Sequence, residues 1–337
     1  MKKIFIRSPY FIEVDEAGQI GSKVELRFYY SGESVPTDAT YTLSKVIASD
    51  SQTNTIYNIS NYAKDFIKPI NPRVVTEPTI EDVNTWCFVQ VKRYKETAIG
   101  VYTLLDTETF VCLNGYSQYS DGYNYSTTDP IVLLFNNDIK KQTDGTFNYV
   151  NVWFDTDDVC LWESFENFNF DCGDEQLWKL PFSASSSLYY SVTTDLIFTL
   201  NAVEVCEPIY TPLICNFINR FGGWEFLTFF KASSNAITTT SKDFNLLPSN
   251  INYNPLQGQK QVFNKQGKQT IKCNTGWVDE NYSELIQDLM LSEVVLLDNK
   301  PVIVKSSSFD VKTKLKENNI NYEIEFEFNY GLINNVI

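Results

Sequence analysis

The chain contains no histidine. That removes serine–histidine and cysteine–histidine catalysis, histidine-containing zinc sites and the commonest general base. No P-loop occurs and no GxGxxG follows a strand, which excludes two familiar phosphate cradles. The seven cysteines, Cys87, Cys112, Cys160, Cys172, Cys206, Cys215 and Cys273, include no CxxC pair. A four-cysteine zinc site is therefore not expected, and the cysteines read as buried free thiols. No run reaches the roughly 18 apolar residues of a membrane-crossing helix, so no membrane insertion is expected. Arg7 and Pro9 interrupt the opening residues before an apolar core forms, so no signal peptide is read there. The expectation is a protein made and assembled in a cytoplasm.

Cations are scarce as well: 27 Lys and Arg stand against 42 Asp and Glu, a net charge of −15. A nucleic-acid partner needs clustered Lys and Arg, and an anionic membrane surface needs the same, so direct binding to either is not expected. No motif implies a cofactor or a metal. Asp155-Thr156-Asp157-Asp158 has the look of a calcium loop but lacks the glycine and terminal glutamate of an EF-hand. Paired-carboxylate hydrolysis is the one enzymatic chemistry left open. No two of the 42 acids stand out for it, and the chain reads as non-enzymatic.

What is abundant is aromatic: 24 Phe and 20 Tyr, against two Met. Aromatic and β-branched residues favour strands. Strand patterns run almost end to end, at 3–14, 23–30, 41–49, 55–59, 86–94, 98–106, 109–113, 131–135 and 147–154. Ser60 is placed to cap a short helix over 61–67, and the two prolines of 68–73 suggest a linker. Gly222-Gly223 marks a tight turn between strands 213–221 and 224–231. Lys265-Gln266-Gly267 reads as another turn, between 259–264 and 268–273. Residues 279–291 carry an apolar stripe at helical spacing, with Asp279 as N-cap. A last hairpin is expected with Asn318-Asn319 as its turn, setting Lys314 opposite Glu323 and Lys312 opposite Glu325. The fold class is mainly β: two or three small antiparallel sandwich or barrel domains with one clear amphipathic helix near the C-terminus. The expected domains are 1–70, a middle β-rich domain or insertion at 74–204, and 205–337.

Two segments have opposite charge. Residues 155–178 carry eight acids, among them Asp155, Asp157, Asp158 and Glu163, while 260–272 carry Lys260, Lys265, Lys268 and Lys272 and no acid. Such patches suit head-to-tail packing, in which one subunit's acidic face meets the next one's basic hairpin. They are equally read as solvated faces, or as partners within one subunit.

Cys215-Asn-Phe-Ile-Asn-Arg-Phe-Gly-Gly-Trp-Glu225, Tyr253-Asn-Pro-Leu-Gln-Gly-Gln-Lys-Gln-Val-Phe263 and Asn274-Thr-Gly-Trp-Val278 resemble segments of virion structural proteins of crAss-like phages that infect Bacteroidetes. The resemblance covers about 205–337, with a fainter likeness over the first 70 residues. It implies a tail-associated ring, hub or collar subunit, partnered by copies of itself in a homo-oligomeric ring and by other tail or connector proteins. It implies a place in the virion and no catalysis. The alternatives are a receptor- or glycan-binding tail protein using the tyrosine-rich stretch Tyr116–Tyr125, and a carboxylate-dependent hydrolase.

Overall fold

The computed structural model describes residues 1–48, 52–69, 72–73, 75–136, 139–142, 148–155, 159–172, 175–183, 185–190, 195–205, 209–247, 252, 254, 256, 258–306 and 320–333. The protein is mainly β, with antiparallel sheets and short helices. It consists of two compact units. The first is Met1–Cys206 with Phe217–Phe226 and Leu291–Val294; the second is Glu207–Asn216, Leu227–Met290 and Val295–Ile337.

In chain order the first unit contributes β1 (Lys2–Phe5), β2 (Phe11–Asp15), β3 (Gly21–Tyr29), β4 (Tyr41–Val46), β5 (Asn54–Asn58), helix α1 (Ser60–Ala63) and β6 (Thr79–Ile80). There follow β7 (Trp86–Ala98), β8 (Val101–Leu113), β9 (Ser126–Thr127), β10 (Ile131–Leu133), β11 (Ile139–Gln142) and β12 (Asn148–Phe154). The series ends with β13 (Val159–Glu163), β14 (Asn167–Asp171), β15 (Gln176–Phe182), β16 (Ser186–Tyr190) and β17 (Asp195–Glu204). Three larger sheets result, ordered β4-β3-β7-β8-β1-β9, β10-β12-β15-β6 and β11-β17-β16-β13-β14, with β2-β5 as a separate pair. None closes into a barrel, since each has two outer strands.

Alternating apolar residues weld these sheets into layers. Val24, Leu26, Val89, Val91 and Phe110 meet Ile12, Val14, Tyr57 and Ile59 from the β2–β5 layer in one buried core. The other face of the six-stranded sheet offers Phe5, Trp86, Phe88 and Leu113, which bury against Val132, Trp153 and Leu177. Val150, Val152, Phe154 and Leu180 then face Cys160, Trp162, Leu188 and Leu200 in a third core. A sheet apolar on both faces, like the one built on β12 and β15, belongs in the middle of such a stack.

This arrangement corrects several expectations. Residues 1–70 are no domain of their own, because β3 pairs with β7 from Gly21↔Glu96 to Tyr29↔Phe88, and β1 runs parallel to β8. The β7–β8 strands continue through 95–97 and turn at Ile99-Gly100, where Gly100 has φ +75°. Ser60 caps nothing: it lies in the first turn of α1, accepts from Tyr10 N at 2.8 Å and donates to Ser8 O at 2.7 Å. Cys160 and Cys172 are disulfide-bonded, whereas Cys87, Cys112, Cys215 and Cys273 are buried thiols. Cys206 lies outside the described residues.

The second unit holds β18 (Leu213–Ile218) and β19 (Trp224–Phe229), although 217–226, at the turn between them, belong to the first unit. It continues with β20 (Ser234–Asn245), β21 (Lys260–Asn274), α2 (Tyr282–Leu291), β22 (Val295–Leu297), β23 (Lys300–Val304) and β24 (Glu323–Phe328). The sheet order is β19-β18-β22-β23-β24-β21-β20. Helix α2 buries Tyr282, Leu285, Ile286 and Leu289, as its periodicity requires, and starts one turn after Asp279, whose carbonyl accepts from Tyr282 N at 3.1 Å.

One hairpin expected here is not formed. Residues 260–274 make one unbroken strand, and the signal read as a turn is a bulge: Asn264 takes φ +49° beside the register shift at Thr240/Lys242. Of the expected final hairpin, only the strand that carries Glu323 and Glu325 is described. Strand 309–315 and the Asn318-Asn319 turn lie outside the described residues. Their proposed partner β24 is flanked by β23 (Val302↔Phe328) and by β21 (Lys272↔Glu325). Lys272 stands opposite Glu325 on the β21 side; Lys312 and Lys314 lie outside the described residues.

Candidate assembly surface

The turn Asn219–Glu225 is built into the first unit by a buried polar network. Asn219 Oδ1 accepts from Phe221 N (3.0 Å) and Gly223 N (3.1 Å), while its Nδ2 donates to Leu134 O at 2.9 Å and to Glu225 Oε2 at 3.2 Å. Glu225 also accepts from Asn136 N at 3.2 Å and pairs with Lys140; both charged side chains are buried. Trp224 N donates to Asn151 Oδ1 at 2.8 Å, and Asn151 Nδ2 donates to Glu81, itself paired with Lys179 at 2.8 Å. Gly222 has φ +88°, and a Cβ there would press on the Asn114 and Gly115 backbone at 2.8 Å. A Cβ on Gly223 would overlap the carbonyl oxygen of Leu134. Both glycines thus serve backbone approach inside the fold, and this motif is not a surface contact.

The acidic segment does not present a uniform face. Asp155 turns inward: buried Lys3 donates to it at 2.6 Å, as does the Met1 ammonium. Burial alone would raise the Asp155 carboxyl, but those two cations hold it below the usual aspartate value. Glu175 moves the other way, raised by burial and by Asp155. Glu163 closes β13 half-buried, and Asp171 ends the outer strand β14 exposed. Asp157 and Asp158 lie outside the described residues.

The expected basic patch lies on β21 with acids around it in the same unit. Lys260 pairs with Asp243, Lys268 with Glu327 at 2.9 Å, and Lys272 with Glu323 at 3.7 Å and Glu325 at 3.8 Å. Hydrogen bonds from Lys268 and Lys305 lower the Glu327 carboxyl. Lys265 stands beside the bulge at Asn264.

Sequence reasoning missed what the lysines are mounted on. All twelve residues of β20 are exposed, as is most of β21 from 260 to 266. This part of the hairpin is a two-stranded ribbon open to solvent on both faces. It carries Ile237 (63% exposed), Phe244, Val262 (59% exposed) and Phe263, and the connection beyond it carries Leu247 and Leu256, both almost fully exposed. Phe244 and Phe263 meet edge to face, 5.5 Å between centroids. An isolated two-stranded ribbon is marginal in water, and clustered exposed apolar side chains mark an interaction surface. β20 is also an outer strand, so one row of its backbone groups faces no neighbour among the described residues. A run of Thr and Ser with scattered apolar residues gave no warning of this.

Among the described residues no group of three or more Cys, Asp or Glu is arranged to hold a metal ion, and no helix is long and apolar enough to cross a membrane. No protein-family model and no curated protein matches the chain.

Proposed function

We propose that this chain is a non-enzymatic structural subunit of a bacteriophage particle, a member of a tail-associated ring, hub or collar that assembles in the host cytoplasm. The observation that carries the assembly reading is the β20–β21 ribbon, with both faces and one edge open and apolar side chains along it. Such a surface is costly to leave in water and is stabilised when another chain covers it. The phage assignment rests on the resemblance of the 215–225, 253–263 and 274–278 segments to crAss-like virion proteins. Partners are further copies of the chain and neighbouring tail or connector proteins.

Light scattering over a concentration series tests the assembly reading. The wild type is expected to form a discrete multimer as concentration rises. A variant carrying Ile237→Glu, Val262→Glu and Phe263→Glu, with unchanged circular dichroism, is expected to stay monomeric. A wild type monomeric at every concentration would overturn the reading.

One feature favours the glycan-binding alternative. In the tyrosine-rich stretch, Tyr119 is fully exposed and Tyr123 largely so, and exposed aromatic rings bind sugars. Retention on a glycan array that disappears in Tyr119→Ala/Tyr123→Ala would favour that reading.

A further inference from the structure

The first unit contains a receiving edge for the ribbon. β4 is an outer strand of the six-stranded sheet and, at six residues, the longest outer strand of the first unit among the described residues. An open groove of about 730 Å³ runs beside it. One wall is five consecutive residues, Tyr41 to Lys45. Successive side chains of a strand point to opposite faces, so a groove touching all five follows the strand's open backbone edge. The opposite wall is Tyr57 and Asn58 of β5, with Asn61, Tyr62 and Asp65 from α1 and the turn after it. Tyrosines and short amides beside an unpaired edge suit an extended segment that adds to the sheet by main-chain hydrogen bonds and seats alternate side chains against the rings.

Charge points to the occupant. The first unit holds 16 Lys and Arg against 30 Asp and Glu, a net −14, while the second unit is close to neutral. Within the second unit, residues 234–274 hold five Lys and one Asp. The ribbon is thus a strand-shaped, partly apolar element that carries more Lys than acid, although Lys260, Lys268 and Lys272 pair with acids of their own unit; the first unit is an acidic body with a groove, and β20 and β4 are each outer strands among the described residues. We infer that the ribbon of one copy docks on the first unit of a second copy, β20 adding to β4 in the groove. The inference rests on the assembly reading above and names its partner. The contact is heterologous, one surface meeting a different one, and repeats from copy to copy until the rotation closes a ring.

Complementary variants test it. A donor-defective chain carries Ile237→Glu, Val262→Glu and Phe263→Glu. A receiver-defective chain carries Thr42→Lys and Ser44→Lys, exposed positions on the β4 edge where charge opposes strand addition. Each alone is expected to be monomeric at concentrations where the wild type is multimeric, and an equimolar mixture is expected to give a dimer and nothing larger. Cysteine placed at Ser44 in one batch of the ribbon-intact chain and at Ala236, Thr238 or Thr240, one at a time, in another gives a second readout. Mixed and oxidised, one of these pairs is expected to cross-link between copies well above single-cysteine controls. If the receiver-defective chain assembles like wild type and no pair cross-links, the inference falls while the assembly reading stands. If the wild type itself never associates, both fall.

Discussion

Glu225 is a carboxylate with almost no contact with solvent, held by Lys140, Asn219 and Asn136. Removing one partner of such a pair leaves the other charge buried and uncompensated, at about 3–5 kcal/mol. Glu225→Gln is therefore expected to lower the urea midpoint strongly. Adding Lys140→Met to it is expected to recover part of the loss, because no charge is then stranded. Glu25 supplies a pH-dependent counterpart. Burial alone would raise its carboxyl, but hydrogen bonds from Lys23, Arg27 and Tyr94 prevail and hold it at about 2, against 4.5 for a free side chain. A carboxyl depressed on folding stabilises fully above the unfolded value, and that contribution is lost as pH falls from about 4.5 toward 2. Because solvent screens this ion pair, urea unfolding of Glu25→Gln is expected to show a deficit of about 0.5–1 kcal/mol at pH 7 that shrinks steadily below pH 4.5. A deficit independent of pH would mean that the side chain acts by packing alone.

At the scale of elements, apolar alternation was informative wherever one face is buried. Val24, Leu26 and Phe28 in β3, Ile324, Phe326 and Phe328 in β24, and the Tyr282–Leu289 stripe of α2 all lie inside as their spacing demands. Turn signals were less informative, because Gly and Asn serve other purposes. Asn264 accommodates a bulge. Gly267 lies under Leu332, whose side chain would stand 3.0 Å from an added Cβ. Pairing partners far apart in sequence carry no local trace. The network around Asn219 draws on Leu134 and Asn151, and nothing in the Asn-Arg-Phe-Gly-Gly-Trp run names them. The lysines of β21 were noticed, but the acids of β24 and β20 that face them became visible only with the sheet order. One prediction belongs here: because every residue of β20 is exposed, Thr238→Lys or Ile237→Lys is expected to change monomer stability by no more than about 0.5 kcal/mol, while visibly reducing self-association. A large loss of thermal stability would mean that the ribbon is folded into the protein's own core.

For the molecule as a whole, the uneven distribution of charge sets the response to salt. In the proposed contact between copies, the acidic first unit and the lysine-bearing ribbon interact across distances comparable to the Debye length, about 10 Å at 0.1 M salt and about 3 Å at 1 M. Association measured by light scattering is expected to weaken several-fold between 0.05 and 0.5 M NaCl. Apolar burial alone would predict no change or a gain. The sequence showed that opposite charges are segregated along the chain. It did not show that the acidic share belongs to a unit assembled from three separate stretches, since that follows from long-range pairing.

Those three stretches bear on how the chain is made. The first unit includes Phe217–Phe226 and Leu291–Val294, with most of the second unit encoded between them. Its opening strand β1 pairs with residues more than a hundred positions later, Lys2↔Phe110 to Phe5↔Leu113. A ribosome adding about 5–20 residues per second reaches position 294 only after roughly 15–60 s. Until position 225 the layers of the first unit lack the Asn219–Glu225 turn that satisfies their buried amides and carboxylates, and Leu291–Val294 follow only after most of the second unit, so this chain cannot finish one unit before starting the next. If the chain self-associates as proposed, nascent copies on neighbouring ribosomes hold unpaired edges while the first unit is still incomplete.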